Sequence, residues 1–373
     1  MSLTSSQDTF RRAVTLTMAL LLLSSIVVLA VSYPSFGSPL TGKSDDKITV
    51  MTRNLYQGVD LRPLATATNA TQFFKAVGAA YNRMQATDFT ERAEALADEI
   101  VRASPDLVGL QEAALFRTQI PADGPATPAT NVSYDFIQIL IDALEDRGVH
   151  YTTAVVQTGF DIEAPGLFPT GLMDVRLTDR DAILVRDNLK DFSLSNPQSA
   201  QFAAKSSFPS PFGSISLPSS WTSVDVSFND GNKARVVSTH LEPISPSIQI
   251  LQATELLSGP ANTDLPLILI GDFNSDADRT GTATYANLIA AGFKDAWTIL
   301  GEGKGLTCCQ HADLLNSESA LSRRVDLVMF QGNVKVQAVQ IIGNSPEERT
   351  PSGLWPSDHA GLLSKLKLTR LKN

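Results

Sequence analysis

The chain has 373 residues, 43% of them hydrophobic and 18% charged, the balance of an ordinary globular protein rather than a disordered or fibrous one. Residues 1–44 carry Arg11, Arg12 and Lys43 against Asp8, so the remainder holds a net charge of −11 against −9 for the whole chain. An acidic body repels polyphosphate backbones unless a cation intervenes, which excludes tight unaided nucleic-acid binding and leaves metal-assisted phosphoester chemistry open. Arg11 and Arg12 precede AVTLTMALLLLSSIVVLAV, 19 uncharged residues at 13–31. Ala30 and Ser32 then put small residues at −3 and −1 for cleavage before Tyr33. Residues 1–32 therefore read as a signal peptide or an uncleaved membrane anchor, and the folded part is expected outside the cytoplasm. Residues 33–46, YPSFGSPLTGKSDD, read as a linker, and 47–373 as one catalytic domain.

Past the linker, β-branched apolar runs alternate with helical patterns. KITVMTRN (47–54) predicts a strand. DFTERAEALADEIVRA (88–103) predicts a helix, with Asp88 and Glu91 as a capping box and Ala93, Leu96, Ile100 and Ala103 on one face. DLVGLQEA (106–113) predicts a strand and YDFIQILIDALEDRG (134–148) a helix ended by Gly148. Further strands are expected in RDAILVR (180–186), KARVVSTHLEP (233–243), LPLILIGDFNSD (265–276), RRVDLVMF (323–330), KVQAVQII (335–342) and AGLLSKLKL (360–368). Residues 114–133 and 195–222, rich in Pro, Ser and Ala, read as long surface loops. Strands that follow one another without helices argue against a purely parallel sheet and for mixed sheets packed face to face under helices. Cys308 and Cys309 are adjacent, and neighbouring cysteines seldom bridge, so no disulfide is expected to hold the fold. Nor can Cys308, Cys309 and His311 easily converge on one metal ion.

The informative pattern is what ends each apolar run. Asn54 ends ITVMTRN, Glu112 ends LVGLQE and His240 ends RVVSTH. Asp272 and Asn274 end LILIGDFN, Asp326 interrupts RRVDLVMF, and Asp358 and His359 precede AGLL. Singly, an Asn or Asp after a strand is a turn former. Together, such residues gather along one sheet rim, where sites are built. In extended chain, Asp272 and Asn274 share a side while Phe273 turns to the core. The inventory suits phosphoester hydrolysis. A hard cation is content with one or two carboxylates plus an amide oxygen, which Glu112, Asp358 and Asn54 supply. An attacking water needs a base, the role for Asp272. Charge building on phosphorus needs donors, for which Asn274 and two histidines serve.

TRN, GLQE, STHL, GDFNSD, RRVDLVMF and SDHAGL, in this order, resemble the endonuclease/exonuclease/phosphatase superfamily over most of residues 47–368. That group includes deoxyribonucleases, abasic-site nucleases and neutral sphingomyelinases. The resemblance implies an α/β fold: a four-layer α/β sandwich, two packed mixed β-sheets flanked by helices. It also implies hydrolysis dependent on Mg²⁺ (Mn²⁺ or Ca²⁺ as alternatives), by an in-line water and without a covalent intermediate. By resemblance Glu112 is the principal metal ligand, with Asn54 and Asp358 completing or flanking the site. Asp272 orients the water, Asn274 and His359 contact the phosphate, Asp326 orients His359, and His240 is a second histidine. Asp179 or Asp181 stands as the partner of His240, and Arg180 as a further phosphate ligand.

The substrate stays open between nucleic acid and a phospholipid headgroup, with a phosphomonoester as a further alternative; a monomer is expected. The presence of all these key positions argues against a non-catalytic binding relative. SSFPSPFGSISLPSSW (206–221) carries Phe208, Phe212 and Trp221, which either contact a membrane interface or pack on their own domain.

Overall fold

The computed structural model describes residues 46–369, so residues 1–32 and all of the linker except Asp46 lie outside the described residues. The first strand, β1 (Lys47–Asn54), buries Ile48 and Val50 completely, as its alternation demands. Three helices follow: α1 (Arg62–Thr66), α2 (Ala70–Ala86) and α3 (Phe89–Ala103). Asp88 caps α3 by accepting the Glu91 N–H, and Ala93, Leu96, Ile100 and Ala103 form its buried stripe. The reciprocal half of the expected capping box is replaced, because the Glu91 carboxylate accepts from Thr350 and Ser352 of a distant loop.

Strands β2 (Leu107–Gln111), β3 (Leu115–Gln119) and β4 (Asn131–Asp135) lead into α4 (Phe136–Glu145), and the chain turns at Gly148 with φ +70°. A long hairpin comes next, β5 (Tyr151–Phe168) and β6 (Gly171–Arg186). Then come β7 (Phe192–Gln201), β8 (Ser206–Ser210), β9 (Gly213–Leu217), β10 (Ser220–Phe228) and β11 (Lys233–His240). The rest of the chain gives α5 (Pro246–Ser258), β12 (Leu267–Asp272), α6 (Thr284–Ala290), β13 (Lys294–Asp295) and α7 (Ala296–Leu300). It ends with β14 (Asp326–Gln331), β15 (Val334–Ile342) and β16 (Gly361–Leu368).

Two expected loops are strands instead. Residues 195–222 hold most of β7, the β8–β9 hairpin and the start of β10, and residues 114–133 hold β3 and part of β4. Serine and proline hid them. β7 lies at the edge of its sheet, where the missing N–H of Pro197 removes no interior ladder bond. In β10, Val224, Val226 and Phe228 alternate inward between polar residues. α2 and α5 were not anticipated, nor was β5.

The eight-stranded sheet runs β15-β16-β1-β2-β6-β3-β4 with β5 added to β6, and the six-stranded sheet runs β13-β14-β12-β11-β10-β7. Both are mixed: β1–β2 and β11–β12 are parallel, their other pairings antiparallel. Ile48, Val50, Leu107 and Ile183 of the first sheet meet Val224, Val236, Ile268, Ile270 and Val328 of the second in a common core. A second core lies between the six-stranded sheet and α5 and α6, through Leu267, Leu269 and Met329 against Ala253, Leu256 and Leu288. On the eight-stranded side α3 and α4 pack together, Phe89 stacked on Phe136 with ring centroids 3.6 Å apart. These are the four layers, helix, sheet, sheet, helix.

Candidate active site

Register brings the polar strand ends together. His240 lies opposite Asp272 in the parallel β11–β12 pair, and Asp272 opposite Asp326 in the antiparallel β12–β14 pair. Asp272 is buried, and its Oδ1 accepts the Asn274 N–H at 2.9 Å. Its Oδ2 faces three groups: the Asn54 amide nitrogen at 3.2 Å, His240 Nε2 at 3.7 Å and His359 Nδ1 at 3.8 Å. His359 Nδ1 is bonded to Asp326 Oδ2 at 2.8 Å, both residues buried, so Asp326 fixes the ring and leaves Nε2 for the reacting side. Phe273 is buried in the core as parity requires, but Asn274 takes φ +48°, so the chain turns there and its amide donates to the Leu241 carbonyl at 2.9 Å.

The first sheet supplies the other half. Asn54 ends β1 and Glu112 follows the parallel strand β2, and Glu112 holds a left-handed φ of +54°, a backbone strain of the kind kept at working sites. Its Oε1 accepts from the Asn54 amide at 3.1 Å and its Oε2 from the Gln57 N–H at 2.9 Å. Asn54 departs from its expected role as an oxygen ligand. Its Oδ1 accepts the Tyr56 N–H at 2.9 Å, so the amide nitrogen, not the oxygen, points between Glu112 and Asp272 and holds the two carboxylates together.

Arg180 also departs from its expected role as a phosphate ligand. Its guanidinium donates to Asp135 at 2.5 Å and to the carbonyls of Ala113 at 2.9 Å and Ala114 at 3.2 Å, bracing the Glu112 turn from behind. Strand parity is the reason: Asp179 and Asp181 are buried on one face of β6, and Arg180 points from the other. Both aspartates stand near His240. Asp179 accepts from Gln57 at 2.5 Å and Asp181 from the Ser220 hydroxyl, and of the two Asp181 has the larger effect in raising His240.

The electrostatics show what the site lacks. Burial opposes charge on His240, yet Asp272, Asp181, Glu112 and Asp179 raise it to about 9, leaving it an imidazolium at neutral pH. Burial likewise opposes charge on His359, and Asp326, Asp272 and Asp358 together hold it well above the ordinary histidine range. Burial raises Asp358 to about 7, and Glu112 and Asp272 push the same way against His359 and Arg92. Burial raises Asp179 to about 6, Glu112 adding to it. So many carboxylates in one place favour a further cation. Among the described residues, Asp272, Asp326 and His359 have ligand atoms within 4.8 Å of one another, but all three are buried and engaged with each other. Glu112 and Asp358 are only half-buried and fit a hard divalent ion, which needs few protein oxygens because it keeps several waters.

Several supporting residues escaped the sequence reading. Buried Arg53 pairs with buried Glu99 of α3 at 2.9 Å and donates to the His359 carbonyl. Buried Arg92, lowered to about 10 by desolvation, donates to the carbonyls of Leu55, Tyr56 and Pro356 on both loops that frame the site. The Ser357 hydroxyl donates to the Asn54 carbonyl at 2.7 Å and accepts the His359 N–H at 3.2 Å. The only sequence signal was a charge, Arg92 or Glu99, placed on the apolar stripe of α3.

Residues 307–310 form a strap across both sheets. The Thr307 hydroxyl accepts the N–H groups of Val325 and Asp326, each at 3.1 Å, while its carbonyl accepts from Ala360 at 2.8 Å. Gln310 N–H donates to the Asp358 carbonyl at 2.8 Å. Cys308 and Cys309 are joined by a cis peptide and their sulfur atoms lie against each other. Cys309 Sγ lies 3.8 Å from His359 Nε2.

Two mixed sheets that bring carboxylates and imidazoliums together at their strand ends, under flanking helices, define a fold of phosphoester hydrolases. The chain belongs to the Endonuclease/Exonuclease/phosphatase family, whose model matches residues 71–359, more than half of its length. Members of that family are hydrolases of phosphoester bonds and generally depend on a divalent metal. A family protein from Bacteroides thetaiotaomicron is 16% identical, aligned over 87% of this chain and 99% of its own, with a TM-score of 0.55. A mannosyl-6-phosphatase from the same organism is 17% identical over 87% of this chain and 100% of its own, TM-score 0.51. The catalytic domain of human Nocturnin is 16% identical over 87% of this chain and 94% of its own, TM-score 0.50. At these identities the likeness is one of fold. A search of curated proteins finds no match.

Proposed function

We propose that the protein is an extracytoplasmic, Mg²⁺-dependent phosphodiester hydrolase that uses direct in-line attack by water. The observation that carries this reading is the position of Asp272 Oδ2, within 3.8 Å of the Asn54 amide nitrogen and of a nitrogen of both His240 and His359. Glu112 and Asp358 would hold the cation, which when bound neutralises charge on the phosphoryl oxygens. Asp272 takes the proton of the attacking water as the new phosphorus–oxygen bond forms and the bond to the leaving oxygen breaks. His359, its ring fixed by Asp326, offers Nε2 to a phosphoryl oxygen. His240, charged at neutral pH, gives its proton to the leaving oxygen. Asn274 retains one amide hydrogen for the phosphate beyond its bond to Leu241. Export rests on the uncharged run at residues 13–31.

The test is a panel of plasmid DNA, RNA, sphingomyelin, a bis-aryl phosphodiester and a phosphomonoester, with Mg²⁺ or with chelator. At least one diester is cleaved in Mg²⁺, and Asp272→Ala and His359→Ala each lower the rate by roughly 10²- to 10⁴-fold. Activity that survives chelation or either substitution overturns the mechanism.

A further inference from the structure

The segment singled out in the sequence for Phe208, Phe212 and Trp221 does not form one exposed loop. Trp221 packs against the second core, and Phe212, at the tip of the β8–β9 hairpin, stacks on Phe74 with ring centroids 5.6 Å apart. Phe208 instead walls a cleft of about 760 Å³ that opens beside the reacting groups, with Glu112, Asp179 and His240 at one end. Away from that end its surface is chiefly apolar: Val59 after β1, Phe160 of β5, Phe208 and Leu217 of the hairpin, and Ile244 and Ile248 around the start of α5. Ile244 is 76% exposed at its lip, an apolar side chain with no part in the core. The volume is that of a site for a small organic group.

Charge decides which kind of substrate fits. A nucleic-acid strand brings a phosphate at every nucleotide, each needing a cation. The cleft offers Arg62 and Lys205 against Asp60, Glu112, Asp179 and Glu242, and Arg62 is already paired with Asp60 at 2.9 Å. One phosphate at the reacting end is served by the two histidines; a second, along the cleft, would meet Lys205 and serine hydroxyls but also more carboxylates than cations. The Glu242 carboxylate accepts from the Ser206 hydroxyl at 2.6 Å and from the Ile244 N–H at 2.9 Å, tying the hairpin to the opposite lip and shaping the cleft without offering a donor.

We infer that this cleft is the subsite for the organic group of the substrate, and that the substrate is a phosphoester carrying a single phosphate and an extended apolar chain or ring. The inference rests on the hydrolase reading, because it places the phosphate at Glu112 and His240. A soluble organophosphate and a lipid share this chemistry, and experiment separates them.

Calorimetric binding of n-alkyl phosphates from ethyl to octyl, in Mg²⁺, is the direct measurement. Kd falls about fourfold per added methylene over the first several carbons. Phe208→Ser and Ile248→Ser each flatten that dependence while leaving the ethyl phosphate Kd unchanged, which also shows that the variants are folded; the wild-type slope stands without them. Ethyl phosphate binding with no dependence on chain length overturns the subsite and leaves the hydrolase reading intact. Binding of none of them, together with no diester hydrolysis, overturns both. In a parallel assay, cleavage of a short-chain soluble phosphocholine diester alone identifies a soluble substrate, and cleavage of long-chain sphingomyelin in vesicles identifies a lipid; either agrees with the subsite. Faster cleavage of plasmid DNA than of every alkyl-bearing diester overturns it.

Discussion

Asp326 and His359 illustrate how single side chains divide the work. His359 takes its orientation from Asp326 at 2.8 Å, and its charge from three carboxylates acting against burial. Asp326→Asn keeps the shape of the side chain and removes the charge. Its kcat falls by roughly 10²-fold or more, and the His359 ring titrates at lower pH in NMR. Unchanged kcat, or an unmoved titration, removes Asp326 from its proposed role. The same groups fix how metal-free stability depends on pH. His240 is raised to about 9, so its contribution is full below the unfolded histidine value and lost as pH climbs through 9. Asp358 at about 7 and Asp179 at about 6 are raised as well; protonated they are tolerated in the interior, and the cost of charging them appears as pH rises through those values. All three act with one sign. Metal-free protein therefore loses stability from about pH 5 to pH 9, and Mg²⁺ offsets more of that loss at pH 8 than at pH 5. Thermal melts with chelator and with millimolar Mg²⁺ check this, and equal stabilisation at both pH values contradicts it.

At the scale of elements, the site depends on pieces that pin one strand end to another. The Thr307 strap joins the start of β14, where Asp326 lies, to the residues before β16, where His359 lies. Thr307→Val leaves the buried N–H groups of Val325 and Asp326 without their acceptor, a cost of about 1–3 kcal/mol each. Beyond lowering Tm, it reduces kcat with little change in KM, and Thr307→Ser restores both. A variant that loses stability but keeps wild-type kcat shows that the strap only supports the fold. α3 contributes in another way, through Glu99, which is 1% exposed and neutralises Arg53 beneath the His359 carbonyl. Glu99→Ala strands a buried guanidinium and destabilises the domain by about 3–5 kcal/mol in denaturant unfolding. A change under about 1 kcal/mol would mean that water reaches Arg53.

For the whole molecule, the net charge of −11 beyond residue 44 sets how it meets a polyanion. A protein neutralising six to ten phosphates loses roughly 10³- to 10⁵-fold in affinity between about 50 and 200 mM salt. With Arg62 and Lys205 outnumbered by four carboxylates in the cleft, this protein changes its apparent KM on DNA by less than about tenfold over that range. A steep salt dependence would locate a phosphate-tracking surface and speak against the apolar cleft as the substrate site. Most of the framework was legible along the chain: β1, β2, β11, β12 and β16 fall within the predicted runs, and β14 and β15 overrun theirs by one residue, because buried strands leave unbroken apolar stretches. α2 was missed although Phe73, Val77, Tyr81 and Met84 stand at helical spacing, because Gly78 interrupts the pattern. Gly78 has a tertiary cause: a Cβ there would come within 2.4 Å of the Leu167 carbonyl oxygen. The serine-rich strands β7 to β9 were not legible, since they lie at an edge and in a two-stranded hairpin, where pairing rather than burial holds them.

By itself the sequence determined which residues end the strands, and so the chemical inventory: carboxylates at 112, 272, 326 and 358, amides at 54 and 274, imidazoles at 240 and 359. Identity and position along a strand are local properties, and a polar residue closing an apolar run reveals itself without its neighbours. Only the tertiary structure decided what each group does. Register set Asp272 between His240 and Asp326, parity turned Arg180 away to Asp135, and the Tyr56 N–H claimed the oxygen of Asn54. These outcomes depend on which donor meets which acceptor across segments as far apart as residues 54 and 272. Such pairings are set by how the two sheets pack, a property that no single stretch of chain carries.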